Sequence, residues 1–522
     1  MAKIERTKNA ARNIFFGVLL KLYQIIVPFL MRTAMIYFMG VQYLGLNSLF
    51  ASVLQVLNLA ELGVGAAMVF SMYKPIAEDD EDTVCALMKL YRTYYRVIGL
   101  VIAVVGCALM PFIPRLIKGS VPAGVNIYLL YLLNLGATVL SYWLFAYKNS
   151  ILHAHQRNDI GSKVTMVTST IQYGAQFLVL WLARDYYLYL MVALLTQVLS
   201  NVATAVIADR LYPQFKPRGK LEKEETQKIN RRIRDLFTSK IGSVVYDSAD
   251  TIVISAFLGL TALAVYQNYF YILNSVYGFV VILFSASQAG IGNSLVVESQ
   301  EKNFADFKKF TFLITWIAGF CATCLVCLYQ PFMELWVGKD LMLSFSAVVC
   351  FAIYFFVRLY NQLFNSYKDA AGMWHEDRFR PLAASLTNLI VNLILVQFIG
   401  IYGIILSTVI AIVCVGIPWL LHNLFTVVFD RKYLAPYLKK LTVYTAVVIL
   451  SCVLTLAVCA SIHIELLTSL FVRGIICCIL PNAVYYLIFR NSEEYAQTLV
   501  LVNSMTKGKL APALKILGMK EN

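Results

Sequence analysis

Runs of about 20 apolar residues recur along the whole of this 522-residue chain. Each is long enough, as a helix, to cross the roughly 30 Å hydrocarbon layer of a bilayer. A backbone inside lipid must satisfy its own hydrogen bonds, so only helices or closed barrels are available. Barrel strands would alternate apolar and polar residues, and these runs do not alternate. Windows of this length predict fourteen spans, over 13–38, 43–72, 93–117, 124–147, 164–183, 187–207, 238–258, 263–290, 310–332, 341–366, 381–399, 402–421, 441–461 and 467–489. Composition agrees: 60% of residues are hydrophobic and only 14% charged, which excludes a soluble enzyme, a disordered chain and a disulfide scaffold.

The charges test the count. With the N-terminus in the cytoplasm, the inner segments carry 35 Lys and Arg, and the outer loops carry four (Arg115, Lys118, Arg184 and Lys339). A missed span would mix the two sets, so both ends are expected to be cytoplasmic. The same asymmetry accounts for the net charge of +15 without nucleic acid. The expected organisation is a six-helix bundle over 1–208 and a basic linker over 209–237. A second six-helix bundle over 238–421, two further helices over 422–489 and a cytoplasmic tail over 490–522 follow. The acidic run Glu78–Asp82 is expected as a solvated turn. Beyond Ser492, an apolar-faced helix is expected along the inner membrane surface.

Ten of the eleven cysteines lie inside apolar runs. Cys324 and Cys327 form a CxxC, but no His or carboxylate stands near them in sequence, so they are read as packing residues, with no metal or cofactor expected. No outer loop exceeds about ten residues, which leaves no room for the external domain of a membrane glycosyltransferase or polymerase. Phosphate-loop, HExxH and nucleophile-elbow motifs are absent from the sequence as well. A carrier is what remains.

An internal repeat supports that reading. "MIYFMGVQYLGLNSLF" (35–50) aligns with "VISAFLGLTALAVYQNY" (253–269), placing Gly40 opposite Gly259, and "ELGVGAAM" (61–68) resembles "QAGIGNSL" (288–295). Both copies start in a helix leaving the cytoplasm and lie six helices apart. Parallel repeats of this kind make two bundles suited to alternating access.

Polar groups at membrane depth are expected to face a bundle interior or a wet cavity. The candidates are Lys21 and Arg32 on the first span, and Gln55, Asn58 and Glu61 at spacing three on the second. The fifth span carries a stripe of Thr165, Thr168, Ser169, Gln172 and Gln176. Gln267, Asn268, Tyr271 and Asn274 follow on the eighth, Arg358, Asn361 and Asn365 on the tenth, and Asn388 and Asn392 on the eleventh. Each is open to two readings, lining of a substrate cavity or hydrogen bonding between helices. Asp247 and Asp250, on the seventh span, either neutralise cations of a cavity or carry a coupling Na+ or H+. Cations suit phosphate and Asn, Gln, Ser and Tyr suit hydroxyls, and a sugar chain on a lipid pyrophosphate is both. A drug exporter, however, also mixes carboxylates with polar residues.

Three stretches resemble the polysaccharide-transport flippases for capsular and O-antigen repeat units, of the superfamily that also holds lipid II flippases and multidrug and toxin extrusion exporters. They are "YFMGVQYLGLNSLFASVLQVLNLAELGVGAAM" (37–68), "AHQRNDIGSKVTMVTSTIQYGAQFLVL" (154–180) and "FRPLAASLTNLIVNLILVQFIGIYGIILSTVIA" (379–411). The resemblance implies an all-α polytopic fold, two bundles around a central cationic cavity plus two C-terminal helices, in a bacterial plasma membrane. It implies transfer of undecaprenyl-pyrophosphate-linked oligosaccharide between leaflets without ATP, for capsule, O-antigen or exopolysaccharide. A polysaccharide polymerase and glycosyltransferases are the partners it implies, beside membrane lipids. Lys21, Arg32 and Arg358 are the substrate contacts it suggests. A lipid II or teichoic-type lipid flippase and a multidrug/cation antiporter stand as alternatives.

Overall fold

The computed structural model describes residues 6–119, 121–122 and 124–505, and among these every regular element is a helix. The first of two compact units runs to Ala264 and contains α1 (Arg6–Phe38), α2 (Val41–Leu57), α3 (Val64–Ala77), α4 (Glu81–Leu109), α5 (Ile127–Trp143), α6 (Asn149–Ala154), α7 (Asn158–Leu182), α8 (Tyr186–Leu211) and α9 (Lys223–Leu258). Next come α10 (Leu260–Val297), α11 (Gln300–Val337), α12 (Phe345–Ala370), α13 (Arg380–Ile399), α14 (Ile401–Ala411), α15 (Ile417–Asn423), α16 (Leu434–Ala460), α17 (Leu466–Phe489) and α18 (Glu493–Met505). Apart from the start of α10 they form the second unit, from Val265 onward.

Among the described residues, eleven helices are long and apolar enough to cross a membrane, and α5 with the bent segment Ala146–Ala154 makes a twelfth. The protein is therefore a multi-pass membrane protein. Each expected span falls mainly on helix, the second being interrupted at 58–63, but α7 and α9 are not among the twelve. α7 carries the polar stripe, and the first half of α9 is charged. Large apolar side chains such as Leu182, Leu195 and Phe398 stand 71%, 67% and 79% exposed, as expected of surface that meets lipid rather than water.

Helix ends follow local chemistry. The side chains of Asp80, Asn126, Asp185 and Ser299 accept hydrogen bonds from first-turn amides of α4, α5, α8 and α11. The Glu78–Asp82 run is thus partly a helix cap and first turn. Between α1 and α2, Gly40 has φ 105° and ψ 161°. Between α9 and α10, Gly259 has φ 90° and ψ 175°. Both lie in a region that only glycine occupies readily, so the aligned pair does the same job in each repeat. The second aligned pair differs. Asn58–Glu61 is a 3-10 turn and Gly63 is left-handed, which breaks the expected second span, whereas Gln288–Leu295 lies within unbroken α10.

In the first unit, α1 packs on α7, α7 on α8, α2 on α9, and α4 on α3 and α5. In the second, α11 is the central helix and packs on α12, α16, α17 and α18. Its ring contacts include Phe307 stacked on Tyr437 at 5.0 Å and Phe312 edge-on to Phe489 at 5.1 Å. Two expectations are corrected. The stretch 209–237 is not all linker, because α9 is already helical from Lys223. The helix after Ser492 does not spread its apolar face on the membrane: Tyr495 and Leu499 are 1% exposed in a core with Phe312, Tyr444 and Tyr485. Glu494 sits between Lys440 and Lys308.

Candidate functional site

The hydrophilic stripe of α7 lies against a matching stripe on α8. Thr165, Thr168, Ser169 and Gln172 from α7 and Thr196, Gln197, Ser200, Asn201 and Thr204 from α8 line a cavity of about 280 Å³, closed by Phe145, Ala146, Asn149 and Gly161. Ten of these thirteen residues bear a hydroxyl or an amide and none bears a charge, so the cavity offers paired donors and acceptors of the kind a sugar uses. Asn201 is itself oriented, its Nδ2 donating to the Ser141 carbonyl at 3.1 Å. The sequence reading found only the α7 half. The α8 half was visible as Thr196, Ser200 and Thr204 at spacing four, one face of a helix.

At the foot of the same helix, Asp159 is fully buried and meets three cations: Arg157 (2.9 Å), Lys163 (3.2 Å) and Arg12 of α1 (3.6 Å). Burial pushes this carboxyl up, but hydrogen bonds from Arg157 and Lys163 and the nearby charges more than offset that, holding it below its ordinary value. Asn13 completes the junction, donating to the Gln156 carbonyl and accepting from the Asp159 amide.

In the second unit, α12 presents Arg358, Asn361, Gln362 and Asn365 on one face. The Arg358 guanidinium donates to Asn274 Oδ1 at 2.6 Å and lies over the Tyr277 ring, 3.8 Å from its centroid. Tyr277 in turn donates to Gln362 Oε1 at 3.2 Å. Farther along, Arg380 bridges Asn365 and Asp377, and Lys368 reaches both Asp377 and Asp369. Asn274 and Tyr277, the latter tied to Gln362, thus hold the Arg358 cation at a defined place within an apolar span.

The structure separates the remaining candidates. Lys21 and Gln55 are exposed, and Arg32 is half-buried near Tyr189. Asn58 accepts from Tyr142, and Glu61 accepts from Tyr95, which is hydrogen-bonded to Tyr91, so these two belong to a tyrosine network between α4, α5 and the 3-10 turn. Gln176 is buried and donates to the Tyr189 carbonyl. Asn268 is completely buried, with no hydrogen bond to either amide atom, and is not on an open surface. Asn361 Oδ1 lies beside Gly416, 3.2 Å from where a Cβ would stand. Asn388 donates to Thr408 and Ser407 and acts as glue between α13 and α14. Asp250 is half-buried on α9, and the Asp247 side chain lies outside the described residues.

Comparison with known proteins adds the lineage. Among solved structures, a lipid II flippase, MurJ, in an inward closed conformation superposes with a TM-score of 0.63 over 92% of this chain and 99% of its own, at 14% identity. An inward-facing multidrug resistance MATE family transporter of the MOP superfamily gives 0.60 at 13% identity, over 81% and 99%. A Vibrio cholerae MATE transporter gives 0.51 at 14%, over 80% and 98%. At such identities the likeness shows the fold. No curated protein matches significantly. The family model described as polysaccharide biosynthesis protein matches residues 10–289, more than half of the sequence, and the chain belongs to that family.

Proposed function

We propose that this protein is a flippase that moves undecaprenyl-pyrophosphate-linked oligosaccharide repeat units across the plasma membrane by alternating access, serving surface polysaccharide biosynthesis. The observation that carries the reading is the uncharged hydroxyl- and amide-lined cavity between α7 and α8. In a chain of this family, a cavity of that chemistry suits a glycan rather than a lipophilic cation. In the second unit, Arg358, held by Asn274 and Tyr277, is a guanidinium of the kind that pairs with a pyrophosphate. The internal sequence repeat with its paired Gly40 and Gly259 supports alternating access. The cytoplasmic termini follow from the distribution of Lys and Arg.

The test uses purified protein in proteoliposomes with a fluorescent lipid-linked oligosaccharide, its headgroup exposure read by an impermeant quencher. Protein-dependent loss of protected headgroup is expected, and it should weaken for Thr168→Val and Gln172→Leu. Equal movement of lipid II with no preference would favour the peptidoglycan-precursor reading. Export of cationic dyes without movement of the glycolipid would favour the drug antiporter, and formation of a longer polymer would point to an enzyme.

A further inference from the structure

Three helices of the second unit bring cysteines together that lie far apart in sequence. Cys327 of α11, Cys459 of α16 and Cys477 of α17 are 2%, 0% and 0% exposed, and their sulfurs all lie within 4.8 Å of one another. Three ligands at about 2.3 Å around one ion place their sulfurs about 4 Å apart. Cys324, one turn before Cys327 on α11, reaches Cys477 as well. The surroundings are the apolar side chains of Leu328, Leu456 and Ile476. Among the described residues, this is the one group of His, Cys, Asp and Glu that converges so closely.

A second observation points the same way. Arg473, one turn before Cys477 on α17, acts electrostatically on Cys459 and Cys477, and its buried Nε has no hydrogen-bond partner. Arg473 is half-buried, and the side of its guanidinium that carries Nε is withdrawn from water beside the three sulfurs, where a charge of opposite sign is favoured. Three thiolates around a divalent ion carry a net charge of −1, which would pair with the Arg473 guanidinium.

We propose that Cys327, Cys459 and Cys477 form a structural zinc site as thiolates, with Cys324 beside it as a neutral thiol and Arg473 the balancing charge. Binding one Zn2+ releases the three S–H protons and forms three Zn–S bonds, with no change of oxidation state. The ion would staple α16 and α17 to α11, joining the last two spans to the central helix of their unit. Zinc fits better than Cu+, whose three-thiolate complex would carry −2 and leave Arg473 outweighed.

Full-length protein purified in detergent under reducing conditions, exposed to zinc and then washed with a weak chelator, should retain one zinc per chain by mass spectrometry. Replacement by Co2+ should give the charge-transfer bands of thiolate-bound cobalt. Cys327→Ser, Cys459→Ser and Cys477→Ser should each lower zinc affinity at least tenfold, Arg473→Leu less, and Cys85→Ser, in the first unit, not at all. Wild-type protein that retains no zinc would overturn the proposal, and since this needs no variant, a folding defect cannot mask it. Retention of Cu+ in preference to zinc would overturn it too, as would recovery of a disulfide among these cysteines from membranes alkylated before lysis.

Discussion

Removing the guanidinium of Arg358 tests the proposed function most directly. The group is clamped before any substrate arrives, donating to Asn274 at 2.6 Å and stacked 3.8 Å from the centre of Tyr277, with Tyr354 at 5.6 Å. A phosphate oxygen meeting this cation gains a charge-assisted hydrogen bond worth about 1.5–3 kcal/mol without the cost of ordering a long side chain. At 1.36 kcal/mol per factor of ten, Arg358→Ala should slow flipping roughly 10- to 150-fold. Arg358→Lys retains the charge but forfeits the planar stack, worth about 0.5–2 kcal/mol, and should lose roughly 2- to 30-fold. Asn274→Ala leaves the guanidinium in place and only loosens it, so a loss of a few-fold is expected.

The assay is initial-rate flipping in proteoliposomes, normalised to reconstituted protein, with pyrophosphate-linked and uncharged-linkage glycolipids compared side by side. A contact with phosphate predicts a larger loss on the pyrophosphate substrate. Wild-type rates for Arg358→Ala would refute the reasoning. So would equal losses for Arg358→Ala and Asn274→Ala on both substrates, which would make the pair a helix tie between α10 and α12.

Four further outcomes follow from particular residues. Lys21→Ala should lower flipping in the same assay, with the effect shrinking as salt rises, because Lys21 is exposed and its charge is screened. A Cβ at Gly45 would stand 2.2 Å from the Leu260 carbonyl oxygen, so Gly45→Ala must part α2 from the start of α10; a cost of about 1–3 kcal/mol should appear as a lower melting temperature in detergent. Because the folded carboxyl of Asp159 titrates below its unfolded value, its contribution is present above about pH 4 and is lost as pH falls through the folded value. Asp159→Asn should therefore melt lower than wild type at pH 7, and the gap should close in acid. If Asp250 carries a coupling ion, an ionophore should slow wild-type transport and leave Asp250→Asn unaffected at its already lower rate.

Much of the fold was legible because lipid restricts the choices: a run of 20 apolar residues has one way to satisfy its backbone. The glycine repeat was legible too, since Gly40 and Gly259 occupy backbone angles that other residues resist. Contacts far apart in sequence were hidden. The cysteine cluster joins residues 132 and 150 positions apart, so the search for a partner near the CxxC could not find one. The α18 helix looked like a membrane-surface element because its apolar face is the same whether it meets lipid or Phe312 and Tyr485. Asn58 and Asn361 look alike as polar residues in apolar runs, yet one is tied to Tyr142 and the other lies beside Gly416.

The helices that fail an apolarity test are informative for that reason. α7 carries a stripe of five hydroxyl and amide side chains, and α8 passes only because its own polar stripe is diluted by leucine, valine and alanine. In lipid each such group costs free energy unless it finds a partner, and glue between two helices needs only one or two. Here Gln176 ties α7 to the Tyr189 carbonyl of α8, but the rest of the two facing stripes lines a cavity of about 280 Å³, whereas Asn388, Ser407 and Thr408 bond directly between α13 and α14. If the polar stripes of α7 and α8 served only to hold the two helices together, paired replacement of Thr168 and Thr196 by valine would lower stability and leave the transport rate of the folded protein intact. If the cavity receives the glycan, the same double variant should be at least as stable and should flip more slowly, so stability and transport measured on one preparation separate the two.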